Sequence, residues 1–290
     1  MERFVREQMN KSESKEFKVQ GLHLDALLPQ RPLHNEGILF IPGSGLNSKS
    51  GRPILESLAA DGYRSFSLSL RGHTGSEIPT DFHRTGLADY ATDTGKVSSF
   101  IQQEFGINRG DQIIFGHSMG GIIAMEHAKQ GAKAVVLLSS GVPFEMTPEF
   151  LKVLKIDTKT VALQRQQMEE AVAKGEVIIR TQKDLERWFS GKLPTDFEQN
   201  REMYLQILSQ ESYQSRLETY LKPFSVRPEQ ISCPILVVGA DNDQSVPPAI
   251  SRQMAQYFAT DYLEANGSHM FMFEDDWPDT AQRIKDWLEK

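Results

Sequence analysis

The chain has 290 residues, 39% hydrophobic and 24% charged, a balance that excludes a largely disordered protein and suffices for one large core, with or without an inserted piece. Its net charge of −7 is spread over interspersed acids and bases, so no basic stripe exists to neutralise phosphates and no nucleic-acid partner is expected. A single cysteine excludes an intramolecular disulfide, and no Cys/His cluster has metal-ligand spacing, so neither a metal nor a cofactor is expected.

The N-terminal run "MERFVREQMNKSESKEFKVQG" is charged throughout and lacks the apolar core of a secretory signal. Nowhere do apolar residues approach the ~20 needed to span a bilayer. A cytoplasmic protein without an integral membrane span is the expectation. Residues 15–29 predict an antiparallel hairpin at a sheet edge. "EGILFIPGSG" (36–45) is a short strand broken by Pro and Gly, and "YRSFSLSLRG" (63–72) alternates before a glycine turn. "DQIIFGHS" (111–118), "AKAVVLLSSG" (132–141) and "CPILVVGAD" (233–241) are nearly continuous apolar runs, the pattern of parallel strands covered on both faces. On this pattern Cys233 is assigned to a buried strand as inert packing.

Helical patterns fall between these strands, at 52–61, 87–105, 120–130, 248–258 and 277–289, with Pro248 suited to a first helical turn. The alternation predicts an α/β fold, a mostly parallel sheet flanked by helices and joined by right-handed crossovers. The rhythm breaks between residues 144 and 222. No convincing strand occurs there, and Thr181-x-x-Asp184 and Thr195-x-x-Glu198 both resemble capping boxes, with Gly191 and Pro223 as stop signals. The segment reads as a helical insertion whose Trp188, Phe189, Phe197, Tyr204, Tyr213 and Tyr220 either line a pocket or fasten it to the core.

One serine stands inside a glycine frame, Gly116-His117-Ser118-Met119-Gly120-Gly121. A serine hydroxyl is a weak nucleophile and needs a base, and that base needs an acid to hold its tautomer. Ser118, Asp243 and His269 each follow a predicted strand end, and the carboxyl ends of parallel strands share one edge. Asp241 is the competing acid. His117 is assigned to packing beside the serine, and His73 to a structural turn.

These motifs resemble the α/β-hydrolase superfamily over nearly the whole chain apart from residues 1–14 and the insertion. "GHSMG" matches its nucleophile elbow and "PILVVGADNDQSVPP" its acid segment. "NGSHMFMFEDDWPDTAQRIKDWLEK" is similar to its histidine loop and closing helix, and "SLRGHTGS" to the loop after its fourth strand. The resemblance implies a core of residues 1–143 and 223–290 with a helical cap at 144–222. It favours Asp243 over Asp241, because Asp243 stands four residues before Pro247.

The resemblance also implies two oxyanion donors, the backbone N–H groups of Met119 and of Ser44 after Gly43, with Pro42 where the family often has histidine. The implied activity is hydrolysis of a carboxylic ester in a small molecule with an acyl group, in the manner of esterases, lysophospholipases and monoacylglycerol lipases. The same triad suits a lactone, thioester, amide or carbon–carbon bond, and an inactive binding protein on this fold is the rival of another class. Met146 and the aromatics of the insertion lead to an expected apolar acyl pocket.

Overall fold

The computed structural model describes residues 11–290, so the first part of the charged N-terminal run, on which the sequence reading of a missing secretory signal rests, lies outside the described residues. The chain forms strands β1 (Ser12–Val19), β2 (Leu22–Pro29), β3 (Gly37–Ile41), β4 (Arg64–Ser69), β5 (Gln112–His117) and β6 (Ala134–Leu138). After these come β7 (Val177–Ile179), β8 (Gln210–Ser212), β9 (Ile235–Ala240) and β10 (Asp261–Ala265). Eight of them build one sheet in the order β1-β2-β4-β3-β5-β6-β9-β10. From β4 to β10 all neighbours are parallel, while β1 and β2 form the expected antiparallel edge hairpin.

The continuous apolar runs have a simple cause. In β3, Ile38 and Phe40 face one hydrophobic cluster while Leu39 and Ile41 face another, and all four are fully buried. The same division separates Val136 and Leu138 from Val135 and Leu137 in β6, and Leu236 and Val238 from Val237 in β9. Each large side chain taken from water on either face contributes roughly 1.5–3 kcal/mol. A polar residue on either face would forfeit that, which is why no alternation is visible.

Helices Leu87–Phe105, Met119–Ala128 and Pro248–Phe258 cover one face, through residues such as Val97, Ile122 and Met254. Helices Arg52–Ala60 and Trp277–Leu288 cover the other through Ile54, Leu58 and Ile284. From β3 the chain moves outward to β4 and then returns to the opposite side of β3 as β5. That reversal opens a crevice beyond the carboxyl ends of β3 and β5, where ligands bind in open α/β sheets.

Between β6 and β9 the chain is mainly helical, with helices Thr147–Val153, Thr158–Ala173, Gln182–Trp188, Arg201–Gln206 and Tyr213–Leu221. Two details differ from the sequence expectation. β7 and β8 form a short antiparallel ladder here, three residues a side and too short to leave a periodic signal. Thr195 and Glu198 lie in a turn and start no helix, whereas Thr181 and Asp184 do form a capping box. Phe189, Phe197 and Tyr204 are buried in the second cluster and fasten the insertion to the core, with Phe197 stacked on Tyr204 at 5.3 Å. Cys233 precedes β9 and is half-buried, not enclosed in the strand. Among the described residues no helix is long and apolar enough to cross a membrane.

The helix Met119–Ala128 crosses β3 so closely that a Cβ on Gly120 would lie 2.2 Å from the Ile41 carbonyl oxygen and 2.6 Å from that of Pro42. Both obstacles are backbone, so Gly120→Ala is expected to cost about 1–3 kcal/mol and lower the thermal midpoint by several degrees. Gly95, in helix Leu87–Phe105, would meet nothing within 4 Å. Gly95→Ala is therefore expected to raise stability by up to about 1 kcal/mol. Thermal melts of the pair check this, and equal midpoints would contradict it.

Candidate active site

Ser118 joins β5 to the following helix with φ 53° and ψ −121°, a left-handed backbone that a side chain rarely adopts. Such conformations cost on the order of 1–3 kcal/mol and persist only where their surroundings hold them. Here the Ser118 N–H donates to the Leu138 carbonyl at 3.1 Å, and its own carbonyl accepts from the N–H groups of Gly121 (3.0 Å) and Gly141 (2.8 Å). The turn lifts the serine to the crevice mouth and aims the N-terminus of the next helix at it.

Asp243 follows β9 and His269 follows β10. Nδ1 of His269 lies 2.8 Å from Oδ2 of Asp243, and both side chains are buried. The other oxygen of Asp243 accepts from the N–H groups of Ser245 (2.7 Å) and Val246 (2.9 Å). Burial pushes this carboxyl up, but His269 and the Val246 N–H more than offset it, so its pKa lies below the usual value. An ionised Asp243 accepts from Nδ1 and leaves Nε2 of His269 as the free basic nitrogen.

The competing acid has another task. Oδ1 of Asp241 accepts from the Gly267 N–H at 2.9 Å and so braces the loop that carries His269. His117 braces the same loop by donating from Nε2 to the His269 carbonyl at 2.9 Å. Burial, then the nearby His269, lowers its pKa to about 3, so it stays neutral.

Ser118, Met119, Ser44 and His269 line one cavity of about 260 Å³. Among the described residues the backbone N–H groups of Met119 and Ser44 donate to no protein acceptor. The cavity walls add cations to the expected apolar pocket. Trp188 and Tyr220 reach it, but so do Arg180, Arg187 and Arg216, while Met146 is buried in a core cluster instead. Arg187 and Arg216 lie on helices Gln182–Trp188 and Tyr213–Leu221, whose buried faces hold Leu185 and Leu217, while Arg180 lies in the connection between β7 and the first of these helices.

Sequence reasoning missed Glu211. This carboxylate lies fully buried in β8 and accepts from the Gly45 N–H (3.0 Å), the Tyr90 hydroxyl (2.6 Å), the Ser215 hydroxyl (2.7 Å) and the Ser212 N–H (2.8 Å). His73 Nε2 stands 3.5 Å away, so the structural role foreseen for His73 is to flank this acid. Burial works to raise the Glu211 pKa, yet His73 and the hydrogen bonds from Tyr90 and Ser215 hold it at about 2. The insertion also clamps the loop after β3 through Ser209 N–H to Gly45 O (2.8 Å) and Asn47 N–H to Ile207 O (3.0 Å). "SQESYQS" gives no sign that its acid is buried, because Gly45 and Tyr90, which close the network around it, lie more than a hundred residues upstream.

Elsewhere, Glu16, His23 and Asp25 bring potential ligand atoms within 4.8 Å of one another on the edge hairpin. His23 Nε2 is there already engaged with Asp25 at 3.0 Å, and Ser48 donates to the same carboxylate at 2.6 Å.

Buried His117 (about 3) and His127 (about 4) have pKa values below the ordinary 6.5, and Glu211 (about 2) lies below the ordinary 4.5. In each case the unfolded chain binds protons first as pH falls, so stability is full above about pH 6.5 and declines below it. The decline steepens below about pH 4.5 and continues toward the folded values. Thermal melts across this range are expected to fall monotonically. Glu211→Gln should lower the midpoint at neutral pH and flatten the acid limb, and an unchanged limb would contradict the assignment.

The sequence profile described as "Alpha/beta hydrolase family" matches residues 38–283. No curated protein matches the chain. Among solved structures the chain is similar to an esterase from Exiguobacterium antarcticum, at 14% identity and TM-score 0.59 over 96% of this chain and 100% of that one. It is also similar to the enol-lactonase of Burkholderia xenovorans, at 18% identity and TM-score 0.63 over 95% and 100%. A carboxyl esterase of Bacillus coagulans aligns at 16% identity and TM-score 0.62 over 96% and 98%. With an eight-stranded, mostly parallel sheet and a profile match over most of its length, the chain belongs to the alpha/beta hydrolase family.

Proposed function

We propose that the protein is a serine hydrolase that cleaves a carboxylic ester, with Ser118 as nucleophile, His269 as base and Asp243 as its orienting acid. The observation that carries this reading is the 2.8 Å contact of buried Asp243 with His269, which lines the same cavity as the strained Ser118. Nε2 of His269 takes the hydroxyl proton as Oγ of Ser118 attacks the ester carbonyl. The oxyanion is received by the N–H groups of Met119 and Ser44, whose freedom from protein acceptors supports this role. The alcohol then leaves with the proton from His269. Water, deprotonated by the same nitrogen, attacks the acyl-enzyme, and the carboxylic acid departs as Ser118 regains its proton. Residues 144–222 serve as the cap over this site, on a core of residues 1–143 and 223–290.

A lactone, which is an internal ester, is the second reading, because an enol-lactonase is among the similar structures. A panel of alkyl esters, lactones, thioesters and amides separates the bond types. A fluorophosphonate probe is expected to label the wild-type protein at Ser118 and to leave Ser118→Ala unlabelled. Ser118→Ala should lose ester turnover with its thermal midpoint nearly unchanged, and Asp243→Asn should lower kcat on the order of 10⁴-fold. Absence of labelling in the folded protein, or full turnover by Ser118→Ala, would sink the enzyme reading in favour of a binding protein.

A further inference from the structure

The cavity that holds Ser118 and His269 is lined by three guanidinium groups, those of Arg180, Arg187 and Arg216, and, among the described residues, by no Asp or Glu side chain. This local charge is opposite to the chain's net charge of −7, so it does not follow from overall composition. Asp184 is shared between two of the arginines, at 3.2 Å from Nη1 of Arg180 and 3.7 Å from Nη2 of Arg187. Among the described residues Arg216 makes no ion pair. Its guanidinium rests over the Tyr220 ring at 4.9 Å.

Arg180 is the most elaborately held of the three. Its side chain is 4% exposed, its Nη2 donates to the Ser44 hydroxyl at 3.0 Å, and its guanidinium packs over Trp188 at 5.3 Å. Its Nε is buried without any hydrogen-bond partner. Buried donors are normally satisfied, and each one left over calls for an explanation. Burial and the charge of Arg216 both act to lower the Arg180 pKa, the direction expected where cations crowd. A role in fastening the insertion explains the contact with Asp184. It does not explain a second cation set beside the first, nor the spare donor.

We propose that this cavity recognises an ester carrying an ionised carboxylate, received by Arg180 and Arg216 while Ser118 attacks the ester carbonyl. The proposal rests on the hydrolase reading above and names its substrate class. Arginine suits the task because its planar fork pairs with the two oxygens of a carboxylate and its charge persists at any ordinary pH. The volume of about 260 Å³ lies below the ~300–1,000 Å³ of drug-sized sites, which fits a short acid half-ester. The carboxylate is a handle only. The bonds that break and form are those of the ester.

The test compares monomethyl glutarate with methyl pentanoate, which are similar in length and differ in the terminal carboxylate, by titrating released acid. The wild type is expected to favour the glutarate ester in kcat/KM by about tenfold or more, and Arg216→Gln should cut that ratio roughly ten- to hundredfold. Arg216 is chosen because no ion pair among the described residues depends on it. Arg180→Lys, which keeps the charge and loses the fork, should lower the ratio less than Arg216→Gln.

A second arm needs no turnover. Glutarate should raise the thermal midpoint of Ser118→Ala and leave that of Ser118→Ala/Arg216→Gln unmoved. Turnover of both esters at equal rates, with no response to glutarate, would overturn the carboxylate site and leave the hydrolase standing. A glutarate response without hydrolysis of any ester would support the anion site and sink the hydrolase reading instead. Stabilisation by inorganic phosphate but not by glutarate would overturn the assignment to a carboxylate.

Discussion

A non-glycine residue held at φ 53° at the end of β5 is the constraint on which the rest of the architecture turns. The conformation is unfavourable by itself, and three backbone hydrogen bonds around Ser118 hold it. Those bonds reach Leu138 and Gly141, at the end of β6 and just beyond it, so the turn is fixed only once β5 and β6 are paired. The helix that follows must then lie almost on β3, because Gly120 sits against the Ile41 and Pro42 carbonyls. Strained turn, strand pairing and helix approach are therefore one cooperative arrangement. It sets the serine oxygen and the helix N-terminus on the same side of the sheet.

The loop after β3 is secured differently. A short loop has no ladder to stabilise it, and this one borrows partners from the insertion. Glu211 takes the Gly45 N–H, Ser209 donates to the Gly45 carbonyl, and Asn47 pairs with Ile207. A buried carboxylate is costly unless its lone pairs are filled, and Glu211 has Tyr90, Ser212, Ser215 and Gly45 to fill them. Removing one partner leaves a charge uncompensated, so the network holds as a unit. The insertion is thus part of the proposed site, as well as a cover above it.

Much of this was legible in the sequence, for identifiable reasons. β3, β5, β6 and β9 announced themselves because burial on both faces removes any tolerance for polar residues. Ser118 and Asp243 could be singled out because each follows such a strand, and His269 because it follows the short run that forms β10; strand ends converge in a parallel sheet. The choice between Asp243 and Asp241 needed coordinates, since both occupy one loop and only the 2.8 Å contact distinguishes the partner of His269. β7 and β8 were illegible because three residues a side carry no period. Thr195 and Glu198 had the letters of a capping box and no helix after them, since the chain there stays in a turn. Arg180 and Glu211 were missed for a deeper reason. Their roles come from partners in distant parts of the chain, and local pattern has no access to those.

The same geometry explains why the expected apolar pocket also carries cations. The aromatic count of the insertion was a fair guide to how much apolar surface it carries, but Phe189, Phe197 and Tyr204 spend that surface against the core. What is left for the crevice is the polar side of helices Gln182–Trp188 and Tyr213–Leu221, together with Arg180 in the connection after β7. Gly45 is where the two halves of the design meet. Its N–H is held by Glu211, its carbonyl by Ser209, and a Cβ there would lie 2.4 Å from Nε of Arg180. Arg180 lies close only because Gly45 has no side chain, and its Nη2 then grips the hydroxyl of Ser44. In the proposed mechanism Ser44 offers its N–H to the oxyanion, so the arginine that would read the substrate's charge also holds the loop that would stabilise its transition state. Recognition and catalysis at such a site are coupled through one residue pair, and a change at Arg180 must be felt in both.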